Sequence, residues 1–282
     1  MNHDLNEYLE FAKRIAHHAG DVMMKYFNQK DITTVKDDNT LVTLADTEIN
    51  SYLIEQVKAH YPTHAVLGEE ESYSPESSSS NQENTGCRPQ ACWVCDPVDG
   101  TANFARGIPL FAFSLALVID NVTVLGVAYD PVLKNLYSAI KGQGAFKNGK
   151  KFTTKQRALD DPRAFGSHSA RVTIGPFIAE LSKHLPTKWY TAYCAIVPEL
   201  VKVAEGEITF AASIYARKAD YFIDIAAVQL IVTEAGGRIT DFAGKEIPPF
   251  SKISGLVASN GLVHDEVLRA CNIAQEKLEG GK

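Results

Sequence analysis

Apolar or small residues at Leu5, Leu9, Ala12, Ala16, Ala19, Met23 and Tyr26 are separated by steps of four and three. That spacing predicts an amphipathic helix with one face turned inward. A polar connector over residues 28–39 follows. A second helix is expected from about Thr43, with Ile49, Leu53 and Val57 inward and an end before Pro62. The pattern then changes to short apolar runs. Residues 91–95 form one. Residues 113–119 and 122–129 flank Asp120-Asn121, a pair suited to a tight hairpin turn. Residues 135–140 extend this meander, and Asn148-Gly149 marks a further turn. Helical spacing returns over 198–206 and again over 225–235, where Gly236-Gly237 supplies a stop. A last strand at 257–259 and a helix over 264–278 complete the pattern. Helices, a strand meander and then alternating elements predict a layered α/β or α+β architecture.

Between the second helix and the first strand, residues 72–89 break the pattern. This stretch is rich in serine, with Pro75, Gly86 and Pro89, and buries too little apolar surface to order itself. It is expected as an exposed insertion in a single domain spanning 1–282, whose halves divide near residue 150.

Composition narrows the function classes. The 282 residues are 45% hydrophobic and 22% charged, with a net charge of −6, which argues against nucleic-acid binding as the main task. No uninterrupted apolar stretch is long enough to span a bilayer, and no secretory signal pattern opens the chain, so no membrane partner is expected. Five cysteines, an odd number, suit a reducing cytoplasmic setting better than a disulfide framework.

The chemistry concentrates in Asp96-Pro97-Val98-Asp99-Gly100-Thr101. A strand is expected to deliver Asp96 at its end, where Pro97 removes an amide donor and stops the ladder. Asp99 follows three residues on, and Gly100 is free to adopt unusual backbone angles. Two aspartates and the Val98 carbonyl on one turn offer the oxygen ligands that Mg²⁺ prefers. A helix starting after Gly100 would present free amides to a phosphate. The same residues are also compatible with a plain capped turn. Likewise Thr43 and Asp46 form a capping box in their own right, and Asp224 near a helix start would favour the helix dipole without any metal. His60 and His64 share no helical face because Pro62 intervenes, and Cys87, Cys92 and Cys95 lack a clear fourth ligand for zinc.

The longer string Asp96-Pro97-Val98-Asp99-Gly100-Thr101-Ala102-Asn103-Phe104 resembles the signature of the inositol monophosphatase family, D-P-[ILV]-D-G-T-x-N-F. Three further family motifs occur in order. These are Lys36 with Val42-Thr43 and Asp46, then Gly68-Glu69-Glu70, and Asp224-Ile225-Ala226-Ala227 followed by Glu234-Ala235-Gly236-Gly237. The resemblance implies a layered αβαβα sandwich of the inositol monophosphatase/fructose-1,6-bisphosphatase type. It further implies a homodimer and Mg²⁺-dependent, Li⁺-sensitive phosphomonoester hydrolysis with two or three ions. Glu69 (with Glu70 beside it), Asp96, the Val98 carbonyl, Asp99 and Asp224 would form the metal shell. Thr101 and Asp46 would orient the attacking water, Glu69 would join them in catalysis, and the amides of Gly100 and Thr101 would receive phosphate. Asp99 and Asp224 would also touch the substrate.

Departures from the family pattern concern the substrate. Ile223 replaces the tryptophan before the last ligand. Arg217, with Lys218 beside it, stands where inositol-selective members keep a glutamate seven residues before that aspartate. An arginine suits a second anionic group. Residues 191–195 correspond loosely to the G-[ST]-A-A segment, which places Ala192 and Tyr193 along the pocket. A small inositol or sugar phosphate is the leading expectation. A 3′(2′),5′-bisphosphate nucleotide and histidinol phosphate are the alternatives, and an inactive relative serving as a binding protein is the non-enzymatic one.

Overall fold

The computed structural model describes residues 4–29, 32–35, 41–75, 90–170, 174–219 and 222–280. Lys36, Cys87 and residues 76–89 of the serine-rich insertion lie outside them. Arg217 and Lys218 are described by their backbone alone.

The first predicted helix is α1 (Leu5–Tyr26), started by Asp4, whose carboxylate accepts from the Asn6 amide. It buries Phe11, Ala12, Ile15, Ala16, Ala19, Val22 and Met23. A two-stranded ribbon, β1 (Thr33–Val35) with β2 (Leu41–Thr43), leads into α2 (Leu44–His60), which buries Ile49, Leu53 and Val57 as its spacing predicts. Both helices pack on one face of a seven-stranded sheet. In spatial order it runs β3 (Ala65–Gly68), β4 (Ala91–Asp99), β5 (Ala112–Ile119), β6 (Val122–Asp130), β7 (Asn135–Ile140), β8 (Gly144–Lys147) and β9 (Lys150–Phe152). Asp120 and Asn121 take φ of 48° and 61° in the β5–β6 hairpin, the left-handed pair that such a turn requires.

A second sheet holds β10 (Phe165–Ala170), β11 (Trp189–Thr191), β12 (Phe210–Ala219), β13 (Arg238–Asp241) and β14 (Ile253–Ser259), in the order β11-β10-β12-β14-β13. The four-residue α3 (Thr101–Phe104) directly follows β4. Helix α4 (Ile174–Leu181) lies between β10 and β11 in the chain, and α5 (Ile196–Ala204), α6 (Phe222–Glu234) and α7 (His264–Gly280) complete the set. Helices α5 and α6 share a core with both sheets, through Val94, Ala116 and Ala128 on one side and Ala211, Leu256 and Ala258 on the other. Residues of α4 and α7 close the far face of the second sheet, with Phe177, Leu181, Val267 and Cys271 buried against Phe210 and Val257. The order of layers is thus α, β, α, β, α, the expected sandwich. Alternate residues of β4 explain it: Trp93 and Cys95 face α1 and α2, while Cys92 and Val94 face α5 and α6.

Two local expectations are corrected. Pro97 does not end β4. The strand continues to Asp99 through an irregularity, pairing Asp96 with Ser114 and Asp99 with Ala112. Three steps on one strand face two on the other, so the proline occupies a bulge, where its missing amide costs no ladder bond. The helix read from residue 198 begins at Ile196, with Pro198 inside its first turn, where a proline needs no hydrogen-bond donor. Among the described residues no helix is long and apolar enough to cross a membrane.

Candidate active site

Four segments bring their carboxylates together beyond the end of β4. The bulge turns β4 so that Asp96 and Asp99 are both buried. The Val98 amide donates to Asp96 Oδ1 at 3.1 Å. The Thr101 hydroxyl donates to the Val98 carbonyl at 3.0 Å, so its oxygen retains lone pairs for a further donor. Gly100, at φ 87°, makes the sharp exit into α3. A Cβ there would come within 2.8 Å of the Leu110 carbonyl and 2.9 Å of the Ala195 side chain, so glycine is required for both shape and space.

β3 runs parallel to β4, and the bend after it presents Glu69 and Glu70. The Glu69 amide donates to the Cys95 carbonyl at 3.2 Å, one residue before Asp96. Asp46 sits at the third position of α2, fully buried. Its Oδ2 accepts from the Thr43 amide at 2.9 Å and from the Thr43 hydroxyl. The capping role read from sequence is therefore real, but it occupies one oxygen only. Asp46 Oδ1 is buried with no hydrogen-bond partner among the described residues. Ligand atoms of Asp46, Glu69 and Glu70 all lie within 4.8 Å of one another.

Asp224 stands in the first turn of α6, partly exposed. Helix α6 rides close on the first sheet because β6 offers Gly126, whose Cβ would fall 2.5 Å from the Ala227 carbonyl.

The electrostatics follow from this crowding. Burial, then the charges of Glu69, Asp99, Asp224 and Asp46, push the Asp96 carboxyl well above the usual carboxylate range. Burial and the neighbouring Glu69 and Glu70 raise Asp46 to about 7, despite the two opposing bonds from Thr43. So many acids in one place are unfavourable in the bare protein. A hard divalent cation relieves both their repulsion and the orphaned oxygen, so the donor set fits Mg²⁺.

Sequence reading missed what faces Asp99. Its two oxygens accept from the Ile196 amide at 3.2 Å and the Val197 amide at 2.7 Å. Helix α5 has no side-chain cap of its own, so a carboxylate almost a hundred residues upstream satisfies its first amides. Of the loosely matched segment, Ala192 is exposed, and the Tyr193 carbonyl accepts from Asn103 Nδ2 at 2.9 Å. Glu199 was also missed. It is fully buried, takes a hydrogen bond from the Ser167 hydroxyl, and leaves Oε2 without a partner among the described residues. Burial, with a contribution from the Asp99 charge, raises it to about 8. The signal for it was one acid in the otherwise apolar run Ile196-Val197-Pro198-Glu199-Leu200-Val201. His60 and His64 do not converge: His60 is exposed, and His64 stacks on Tyr61. Cys92 and Cys95 are buried in β4.

Comparison with known proteins bears on the family and the fold. The family model described as "Inositol monophosphatase family" matches residues 4–276. The chain is 30% identical over 283 residues to the fructose-1,6-bisphosphatase/inositol-1-monophosphatase of Thermotoga maritima, covering 97% of this chain and 99% of that protein. It is 28% identical over 277 residues to human inositol monophosphatase 1, with 95% of each covered. A solved Thermotoga maritima IMPase superposes with a TM-score of 0.82 at 28% identity, covering 96% of this chain and 99% of that one. The chain belongs to the inositol monophosphatase family, and it is a hydrolase of the inositol-phosphate phosphatase type.

Proposed function

We propose that the chain hydrolyses a small phosphate monoester, an inositol or sugar phosphate, in a Mg²⁺-dependent reaction at the carboxylate cluster. The observation that carries this reading is Asp96, a buried acid with the charges of Glu69, Asp99, Asp224 and Asp46 around it. Glu69, Asp96, the Val98 carbonyl, Asp99 and Asp224 would hold the ions, with Glu70 within reach beside Asp46. Bound there, Mg²⁺ lowers the pKa of water and neutralises charge on the transferring phosphoryl oxygens.

The protein's own residues do the positioning. Thr101 has committed its hydrogen to Val98, so its oxygen accepts a hydrogen from water. Asp46 Oδ1, buried and without a hydrogen-bond partner among the described residues, is the second acceptor for the same water. The amides of Gly100 and Thr101 receive phosphate oxygens. The α5 amides fix the plane of the Asp99 carboxylate. Asp224 reaches the substrate side from α6.

The relatives named above carry inositol and fructose phosphates in their names, which supports that substrate class here. Arg217 in β12 is the residue most directly relevant to a choice among substrates. The test is turnover of inositol 1-phosphate, fructose 1,6-bisphosphate, adenosine 3′,5′-bisphosphate and histidinol phosphate, followed as released phosphate. The reading expects the first or second to be preferred. Preference for the third or fourth would replace the substrate class, and no turnover on the whole panel by a folded chain would support the binding-protein alternative. A homodimer belongs to the same reading, and sedimentation at twice the chain mass is its expected outcome.

A further inference from the structure

Asn50 lies one helical turn beyond Asp46 on α2, so the two side chains share a face. It is buried, and its amide touches both ends of the acidic turn. At the far end Asn50 Nδ2 donates to the Glu71 carbonyl at 3.0 Å. At the near end Asn50 Oδ1 lies so close to Gly68 that a Cβ on that glycine would fall 2.0 Å from it. The strand side of the turn is fixed separately. Glu69 is bonded to Cys95, and beyond the turn Val66 and Tyr73 exchange two backbone bonds of 2.8 Å.

We propose that Asn50 is a positioning residue, tying the Glu69-Glu70 turn to the helix that carries Asp46 and thereby setting the affinity of this corner for a divalent cation. The proposal rests on the reading of the cluster as a Mg²⁺ site. Ligand atoms of Asp46, Glu69 and Glu70 lie within 4.8 Å of one another, so once Asp46 is ionised their like charges push the turn away from α2 in the absence of a cation. The Asn50 bond opposes that movement and holds the three carboxylates at cation-binding separation before the cation arrives. Removing it leaves the ligands in place but makes the cation order the turn on binding, which weakens affinity. A Cβ on Gly68 would also fall 2.5 Å from the Glu71 carbonyl, so the Asn50 amide and that backbone together account for the glycine that opens Gly68-Glu69-Glu70.

The test is calorimetric titration of the metal-stripped chain with Mg²⁺ alone. Asn50→Leu keeps the branched shape and deletes the donor, though its methyls are bulkier, and Asn50→Ser keeps a hydroxyl too short to reach Glu71. Each is expected to raise the Mg²⁺ dissociation constant about tenfold or more. At saturating Mg²⁺ the KM for the preferred ester should stay within about twofold, since no substrate contact is removed. Ile49→Ala, a neighbouring buried position on α2, should lower the Tm yet leave Mg²⁺ affinity within about twofold of wild type. Unchanged Mg²⁺ affinity in a folded Asn50 variant would overturn the inference, as would an equal loss in Ile49→Ala. Asn50→Ser settles the matter if the leucine variant does not fold. Absence of Mg²⁺ binding by the wild type would overturn the functional reading together with this one; binding by the wild type separates the two.

Discussion

Asp99 and Asp224 reach the site by different routes, and their replacement separates ligand chemistry from fold. Asp99 is buried and anchored by two α5 amides, while Asp224 is partly exposed at a helix start. Asp99→Asn and Asp224→Asn are each expected to lower kcat/KM for the preferred phosphate ester by about a hundredfold or more. For Asp224→Asn the Tm should change by only a few degrees, because asparagine keeps the shape and removes a crowded charge. Asp99→Asn instead turns a donor toward one of the two α5 amides and should cost about 1–3 kcal/mol in a chain that still folds. Near-normal turnover in both variants would contradict the metal assignment. At this scale the motif residues were legible because their chemistry is written in contiguous strings. Asn50 and Glu199 were not, since nothing local marks an asparagine on α2 or one acid in an apolar run. Their partners, Glu71 and Ser167, lie 21 and 32 residues away along the chain.

At the level of elements, the site depends on how closely α6 approaches the first sheet. Gly126 is where they meet, and a Cβ there would lie 2.5 Å from the Ala227 carbonyl and 3.0 Å from its Cα. Backbone cannot yield as a side-chain tip can, so Gly126→Ala must push α6 outward and carry Asp224 with it. The expected cost is about 1–3 kcal/mol in chemical denaturation, with weaker Mg²⁺ affinity. An unchanged midpoint would show that helix and sheet separate freely. Glu234, at the other end of α6, accepts from the Gly142 and Gly144 amides at 2.6 and 2.7 Å and caps the β7–β8 turn. Glu234→Ala should therefore lower stability by about 1.5–3 kcal/mol while Mg²⁺ affinity stays at the wild-type value, and a weakened affinity would tie this turn to the site. Helices α1, α2 and α6 and the β5–β7 meander were legible from periodicity and turn residues. The second sheet was largely hidden: β12 pairs with β10 and β14, partners more than thirty residues away, and its sequence alternates too weakly to declare a face. The Pro97 bulge was misread for a related reason, because a proline signals a break in pairing without saying whether the strand resumes.

Across the whole molecule, the buried acids make stability depend on pH in a stated direction. Asp46 rises from 3.8 to about 7 and Glu199 from 4.5 to about 8 on folding. A carboxyl with a raised folded pKa binds its proton more tightly when folded. Its contribution is complete below the unfolded value and is lost as pH climbs through the folded one. His264, lowered to about 4 by burial, acts oppositely, but only below its unfolded value of 6.5. Between pH 6.5 and 8.5 the metal-free chain should therefore lose Tm. Saturating Mg²⁺ should suppress the Asp46 share of that loss by binding the ionised form, and Glu199→Gln should remove the Glu199 share. A Tm that rises over this window without metal would contradict the burial of these acids. The layered sandwich itself was legible through the family motifs, which span the chain from Lys36 to Gly237. The claim that joins these scales is that the carboxylates converge to hold Mg²⁺ for phosphate ester hydrolysis. Its most direct test is phosphate release from inositol 1-phosphate and fructose 1,6-bisphosphate by the metal-stripped chain, before and after Mg²⁺ is restored. Release that is absent without Mg²⁺ and saturates as Mg²⁺ is added is the predicted result; equal release with and without it, or none from the folded chain in either state, would contradict the account.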